Sequence, residues 1–453
     1  MAGIVTDPLH LPALQPTLHP LLTASLLFTL AFAVALCAGT LLKLWLASRQ
    51  IRHVARHRDA VPAGFAERIS LASHQKAAAY TVAKARFGML ELALGVAVLL
   101  GWTLLGGLDA LNAALLSWLG GGLWQQLALV AAFVLIGGLI DLPAGWWQTF
   151  VIEQRFGFNK MTPGLWLADL LKGTLMGALI GLPILALILW LMGAAGRWWW
   201  LWAWAVWMGF NLLLMVVYPT FIAPLFNKFE PLTDETLKGR VQALMQRCGF
   251  SAKGLFVMDG SRRSAHANAY FTGFGAAKRV VFFDTLLQKL DADEVDAVLA
   301  HELGHFKHKH IAKRMAGMFV LTLAGFALLG WLSRQGWFYT GLGVTPNFNI
   351  AGVPGSAPND ALALLLFMLA VPVFSGFVSP LVSGWSRRHE FEADAYAARQ
   401  TDARHLQTAL LKLYEDNAST LTPDPLYVRY YYSHPPAVER MAHLQHLQAQ
   451  AAA

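Results

Sequence analysis

Long apolar runs alternate with basic and polar segments along this chain of 453 residues. Seven of the runs are long enough to cross a hydrocarbon layer about 30 Å thick as helices. They lie near residues 21–46, 87–108, 126–147, 173–191, 198–218, 315–332 and 361–385. The pattern therefore predicts an α-helical polytopic membrane protein with seven transmembrane helices.

The composition supports this interpretation and excludes other classes of protein. The chain is 56% hydrophobic and only 14% charged, which is too apolar for a soluble domain of this length. Its formal net charge of +8 comes from basic residues beside the apolar runs, so we assign it to contacts with the bilayer and predict no nucleic-acid partner. Cys37 and Cys248 lie in separate segments, so no disulfide framework is expected.

Basic residues also predict the orientation of the chain. The segment 49–86 is rich in Lys and Arg, whereas segments 1–20 and 109–125 contain neither. Basic loops stay on the cytosolic side, so the first long loop should lie inside. Alternation across seven spans then places the polar segment 227–314 and the tail from residue 386 on that same inner side.

The polar segments predict a small α+β domain. Residues 233–247 read as an amphipathic helix with Thr233 as N-cap, and short β-rich runs at 255–259, 266–272 and 279–284 predict an antiparallel sheet. Run 266–272 is the candidate edge strand for an extended substrate, although it could equally be an ordinary strand. Residues 336–360 read as an irregular outer loop.

The expected organisation has four parts. Residues 1–225 hold five helices and basic loops, and 226–312 form the inner α+β domain. Residues 313–385 hold helices six and seven, and 386–453 form a helical tail on the inner side.

The chemistry centres on one H-E-x-x-H motif, formed by His301, Glu302 and His305. Positions four apart share a helix face, so both imidazoles can bind one Zn²⁺, while Glu302 can reach a metal-bound water as general base. Asp293 and Glu294 precede the motif where a helix would start. The motif predicts hydrolysis of a peptide bond.

A catalytic zinc needs a third protein ligand, which the sequence leaves open. The metzincin continuation is absent, because positions 308 and 311 hold His308 and Ile311. In the tail, Glu390 and Asp394 are four residues apart and can project together, one as ligand and one as acceptor for a ligand histidine. Glu392, on another face, is the alternative ligand or a surface partner.

Two further groups have open roles at this stage. His308 and His310 follow the motif among basic residues at the entry to a membrane run, so we interpret them as interfacial rather than as ligands. His434, with Arg440 beyond it, could donate a hydrogen bond to an oxyanion or could simply be a loop residue.

Together these segments resemble a known family, the integral-membrane zinc metallopeptidases typified by the type I CAAX prenyl endopeptidase. The similarity spans most of the chain after residue 141. It rests on residues 149–160, 219–229, 266–274, 283–286, 301–305, 386–394 and 433–436.

The resemblance implies roles for particular residues. Glu390 would be the third ligand of a single Zn²⁺, and Asp394 would orient a ligand histidine. His434 and Arg440 would stabilise the transition state, and Arg387 would be structural. The substrate-binding residues would be His266, Ala267, Asn268 and Ala269.

The resemblance also implies a fold and a setting. Seven helices would enclose a chamber, with a gluzincin-like zinc peptidase domain at its cytosolic end. A bacterial-type relative would lie in the inner membrane, and a eukaryotic one in the ER membrane. Substrates would be peptides or proteins, prenylated or otherwise membrane-associated.

The sequence therefore predicts a membrane-embedded zinc endopeptidase with a role in CAAX-box protein processing. The alternatives are a heat-shock-type quality-control protease, which has fewer spans, a site-2-type intramembrane protease, and a non-catalytic membrane chaperone.

Overall fold

The computed structural model describes residues 18–251, 254–272, 279–346 and 359–452. Six helices occupy the first half of the chain: α1 Leu18–His57, α2 Leu71–Trp102, α3 Gly107–Leu119, α4 Leu123–Trp147, α5 Pro163–Ala194 and α6 Trp199–Val217. The α+β region and the start of the next span contain α7 Glu235–Arg247, α8 Asp284–Leu287, α9 Ala292–Lys307 and α10 His310–Leu332. The remainder forms α11 Gly336–Thr340, α12 Asp360–Ser375, α13 Ser379–Gln400, α14 Ala403–Asp416, α15 Pro425–Tyr431 and α16 Ala437–Ala452.

Seven helical segments within these described ranges are long and apolar enough to cross a membrane, which confirms the predicted fold class. Several are longer than the apolar runs. Helix α2 starts at Leu71 rather than near residue 87, with the Ser70 side chain accepting a hydrogen bond from the Ser73 amide as N-cap. An apolar run marks only the part of a helix that is suited to the hydrocarbon layer. It therefore does not show polar turns that extend the same helix beyond that layer.

The sheet has the order β1-β2-β4-β3. Its strands are β1 Phe229–Pro231, β2 Gly254–Met258, β3 Ala269–Thr272 and β4 Arg279–Phe283. Strands β1 and β2, and β3 and β4, pair antiparallel as predicted, but β2 and β4 pair in parallel, so the sheet is mixed rather than purely antiparallel. The reason lies in β4, whose consecutive residues Val280, Val281 and Phe282 are all buried, as suits a central strand covered on both faces.

Two local predictions need adjustment. Helix α7 begins one residue later than expected, because the Asp234 side chain, not that of Thr233, accepts the hydrogen bond of the Leu237 amide at 2.9 Å. The predicted irregular loop 336–360 contains the short helix α11, and its residues 347–358 lie outside the described residues.

One hydrophobic core joins the α+β region to the tail. Phe282 of the sheet, Leu303 of α9, Ala397 of α13 and Leu444 of α16 belong to the same buried cluster. The sheet, the motif helix and the tail thus pack as one unit, while a second core lies among the membrane helices. This shared core is what brings the motif helix α9 against α13.

Candidate metal centre

Helix α9, which carries the H-E-x-x-H motif, has a well-defined start. The Asp291 side chain accepts the Glu294 amide at 2.9 Å, and the Glu294 side chain accepts the Asp291 amide at 2.9 Å. This reciprocal capping box satisfies two amides that the helix leaves unpaired. The Lys412 ammonium lies 2.6 Å from the buried Glu294 carboxylate and balances its charge.

A glycine within the motif sets the distance between α9 and α13. A Cβ added to Gly304 would lie 2.9 Å from Cα and 3.1 Å from the carbonyl oxygen of Ala393, and 3.1 Å from Cβ of Tyr396. Such contacts are tighter than real side chains make, so only glycine permits this approach. The close approach places the α13 carboxylates over the motif histidines.

We expect Gly304→Ala to lower stability by about 1–3 kcal/mol, because the two helices must separate to admit a methyl group. The separation should also weaken metal retention, since Glu390 would move away from the histidines. Gly317→Ala is the control, because its added Cβ would meet only Trp385 at 3.9 Å. Thermal unfolding and metal content of the purified variants test this, and equal losses in both variants would contradict it.

Three side chains form a compact ligand set. His301 Nε2 lies 3.2 Å from His305 Nε2 and 3.5 Å from Glu390 Oε2, and His305 Nε2 lies 3.4 Å from Glu390 Oε1. Two atoms that each bind a tetrahedral Zn²⁺ at about 2.0–2.1 Å are about 3.3–3.4 Å apart, so the spacing fits zinc. Buried Glu390 Oε2 also has no hydrogen-bond partner among the described residues, which is consistent with a metal ligand.

Asp394 lies behind His301 and is completely buried. Its Oδ1 atom is 2.8 Å from His301 Nδ1, so it can hold that ring with Nε2 directed at the metal position. Arg440 donates from Nε and Nη2 to the two oxygens of Asp394, both at 2.7 Å. The paired guanidinium compensates the charge of a carboxylate that water cannot reach.

Glu302 lines a large cavity together with the three ligand residues. The cavity volume is about 1430 Å³, above the roughly 300–1,000 Å³ of ordinary ligand pockets, and its walls include residues of α1, α2 and α12. Burial raises the pKa of the Glu302 carboxyl, as suits a group that must accept and return a proton. Burial lowers the pKa of His305 to about 3, which favours the neutral ring that a metal needs. The carboxylates of Asp394 and Glu390 outweigh burial and raise the pKa of His301 to about 9, so metal binding at His301 requires the loss of a proton.

His434 is placed on the cavity side by the end of α15. Arg387 donates to the carbonyls of Val428 at 3.1 Å and Tyr432 at 2.6 Å, which pins the chain just before His434. His434 Nε2 lies 3.6 Å from Glu390 Oε1. Its imidazole is therefore beside the ligand set without belonging to it.

The residues predicted to bind substrate lie at the sheet edge. Strand β3 starts at Ala269 and lies at the edge of the sheet, where among the described strands it pairs with β4 alone. His266, Ala267, Asn268 and Ala269 all line the cavity. The sequence did not point to Asn417, whose Oδ1 atom accepts the Ala267 amide at 3.2 Å and so holds the approach to the strand.

One interpretation was wrong. His310 is not an interfacial residue but is 98% buried, with its Nδ1 atom 3.0 Å from His305 Nδ1. Glu392, left open as an alternative ligand, instead lies 2.8 Å from His310 Nε2. Basic neighbours suggested a surface position for His310, but its ring points back beneath α9 because Lys309 adopts a left-handed conformation at φ 57°.

Comparison with known proteins agrees with this geometry. Residues 50–228 match the model of the CAAX prenyl protease N-terminal region, which has five membrane helices, and residues 231–448 match that of peptidase family M48. The chain belongs to peptidase family M48. As a member of M48 it is a membrane-embedded zinc metalloendopeptidase, which confirms the predicted activity.

The relatives of this M48 peptidase cover most of its length. The CAAX prenyl protease 1 homolog of Arabidopsis thaliana is 37% identical over 318 residues, 70% of this chain and 72% of the relative. CAAX prenyl protease 1 of Saccharomyces cerevisiae is 37% identical over 337 residues, and the match covers 71% of this chain and 72% of the yeast protein. The crystal structure of S. mikatae Ste24p has a TM-score of 0.85 at 31% identity and covers 92% of this chain and 99% of that one.

Proposed function

We propose that His301, His305 and Glu390 hold one catalytic Zn²⁺. The observation that carries this proposal is the distance of 3.2 Å between the two imidazole Nε2 atoms, each of which lies 3.4–3.5 Å from one oxygen of the Glu390 carboxylate, at the wall of a large cavity. Asp394 holds His301 from behind, through its hydrogen bond to Nδ1. Three protein ligands beside open space leave a position for water, as catalytic zinc sites do.

Glu302 is the proposed general base. Bound zinc supplies Lewis acidity that makes a water molecule nucleophilic near neutral pH. Glu302 takes the proton of the attacking water and delivers it to the leaving amine. Its position in the same helical turn as both histidines keeps its carboxylate beside the reacting atoms.

His434 is the proposed donor to the oxyanion, with the positively charged Arg440 guanidinium near it. The His434 imidazole is open to the cavity and beside Glu390, where a carbonyl oxygen under attack would lie. A preorganised donor of this kind lowers the activation barrier of a hydrolase by about 2.7–4 kcal/mol. Arg440 is held by Asp394 and contributes mainly through its fixed charge.

The substrate is proposed to add to β3 as an extended strand. The segment His266, Ala267, Asn268 and Ala269 would offer main-chain hydrogen bonds, which are independent of the side chains of the substrate. The cavity also has apolar walls from the membrane helices, among them Leu92, Val96, Leu99, Met368 and Leu369. A prenylated C-terminal peptide would fit both features, and the relatives named CAAX prenyl proteases support this substrate class.

The site is proposed to face the cytosol, in the bacterial inner membrane or, for a eukaryotic source, in the ER membrane. The basic segment 49–86 supports this orientation. The parts 1–225 and 313–385 would form the membrane unit, and 226–312 and 386–453 the peptidase unit. Thiol labelling of an introduced cysteine in α16, in sealed membrane vesicles, tests the side.

Chelation tests the proposed activity directly. We expect a strong zinc chelator to reduce peptide cleavage by about 10³-fold or more, because a Lewis acid contributes several kcal/mol to the reaction, and zinc to restore it. Mass spectrometry of products from matched peptides with and without a C-terminal prenyl group measures the preference, and we expect faster cleavage of the prenylated form. Full activity in zinc-depleted protein would end the metal assignment, whereas equal rates for both peptides would reject only prenyl recognition.

A further inference from the structure

The two ligand histidines are supported from behind in different ways. His301 meets a carboxylate directly, since its Nδ1 atom is 2.8 Å from Asp394. His305 Nδ1 instead meets another imidazole, that of His310, at 3.0 Å. His310 Nε2 in turn lies 2.8 Å from the Glu392 carboxylate. The positions of the protons along this chain decide which nitrogen of His305 is free to bind a metal.

One arrangement of protons satisfies every contact in this chain. His305 Nε2 must keep its lone pair for the metal, so its proton lies on Nδ1, which donates to His310. His310 Nδ1 must then accept, so its proton lies on Nε2, which donates to Glu392. The negative carboxylate at the end favours this order, because it accepts hydrogen bonds only. The opposite order would place two lone pairs against each other at one of the contacts.

The surroundings hold the relay in place. His310 is 2% exposed, and its ring stacks on that of His389 with centroids 3.9 Å apart and planes 9° from parallel. The His308 ring is more distant and does not hold the relay, since its centroid is 5.6 Å from that of His310. Glu392 is 46% exposed at the far end, so its charge is partly hydrated while the imidazoles are enclosed.

We propose that His310 and Glu392 are positioning residues for the metal site: together they hold the proton of His305 on Nδ1 and its Nε2 lone pair toward zinc. The inference rests on the proposed ligand set. Both proposed ligand histidines are then supported by a carboxylate. His301 contacts Asp394 directly, whereas His305 is linked to Glu392 through the His310 imidazole. Partners of this kind typically change metal affinity about 10–100-fold.

The test is the zinc affinity of purified variants, measured by competition with a chelator of known affinity. We expect His310→Ala to bind zinc about 10–100-fold more weakly than the wild type. His310→Asn should recover part of the loss, because its amide oxygen lies where Nδ1 was and can accept from His305. Glu392→Gln should lose less than His310→Ala, since the amide still accepts from His310 but lacks the charge.

His308→Ala is the matched control. It removes a neighbouring imidazole, but His308 Nε2 has no hydrogen-bond partner in the described part of the chain and the side chain is not in the relay. We expect its zinc affinity to equal that of the wild type. The absorption spectrum of the Co²⁺-substituted protein should change for His310→Ala and not for His308→Ala, because only the first alters the orientation of a ligand.

Three outcomes decide the matter. Equal zinc affinity in His310→Ala and His308→Ala would overturn the proposal. If His310→Ala, unlike His308→Ala, unfolds at a lower temperature in excess chelator, its weaker zinc binding could reflect lost stability. Glu392→Ala then replaces it as the test, and wild-type zinc affinity in Glu392→Ala would also overturn the proposal. His305→Ala separates the ligand set from the relay. If His305→Ala bound zinc as tightly as the wild type, the proposed ligand set would be rejected. If His305→Ala lost zinc affinity while His310→Ala kept it, only the relay would be rejected.

Discussion

Glu302→Gln is expected to abolish peptide cleavage while the protein keeps its zinc. Proton transfer by a positioned base contributes about 10²–10⁴-fold to such reactions, and glutamine has no basic oxygen to accept the proton. The substitution preserves size and shape, so the helix and the three proposed ligands should stay in place. The measurement is the cleavage rate of a test peptide, alongside zinc content by mass spectrometry of the same preparation.

Glu439→Gln provides the control for this experiment. Glu439 is exposed on α16 next to Arg440 and does not line the cavity, so the loss of its charge should leave the rate unchanged. If Glu302→Gln retained zinc and cleaved the peptide at the wild-type rate, Glu302 could not be the base. If it lost zinc, the result would point to a role in metal retention that the ligand geometry does not predict.

Arg440→Met should cause the largest loss of stability among single changes near the site. The carboxylate of Asp394 is wholly buried and has its charge balanced by two hydrogen bonds from Arg440 at 2.7 Å. Removing one partner of a buried ion pair costs about 3–5 kcal/mol, because the remaining charge is left without water or a counter-ion. Methionine fills similar volume, so the loss should report the charge rather than a cavity.

An exposed ion pair of the same chemistry serves as the comparison. Arg404 and Asp402 lie 2.6 Å apart, but the Arg404 side chain is 70% exposed. Arg404→Met should change stability by only about 0–1 kcal/mol, since water replaces the lost partner. Thermal or denaturant unfolding of both variants in the same detergent measures the difference, and similar losses would show that burial does not govern the Asp394 pair.

The role proposed for Glu302 is readable from the H-E-x-x-H pattern, because neighbours on one helical turn have a defined relation whatever the rest of the fold does. The dependence of Asp394 on Arg440 is not readable in this way. It requires α13 and α16 to pack together, and that packing depends on the core shared by the sheet and the tail.

The same division explains the errors in the sequence-based predictions. Strand and helix types followed from local patterns, but pairing of β2 with β4 in parallel is decided by which strand becomes central and buried. His310 has basic neighbours in sequence that suggest a surface, yet the left-handed turn at Lys309 directs its ring beneath His305. Charge along the chain therefore could not indicate the burial of this residue.

By itself, the sequence determined the seven apolar helices, the metal motif on α9 and the pair of candidate carboxylates in the tail. These features are set by hydrophobicity and helical periodicity, which act over a few residues. Only the tertiary structure decided that Glu390 rather than Glu392 meets the two histidines, and that Glu392 lies behind His310. The physical reason is that α9 and α13 are remote in sequence, and their close contact at Gly304, where a side chain would clash, has no counterpart in the local pattern.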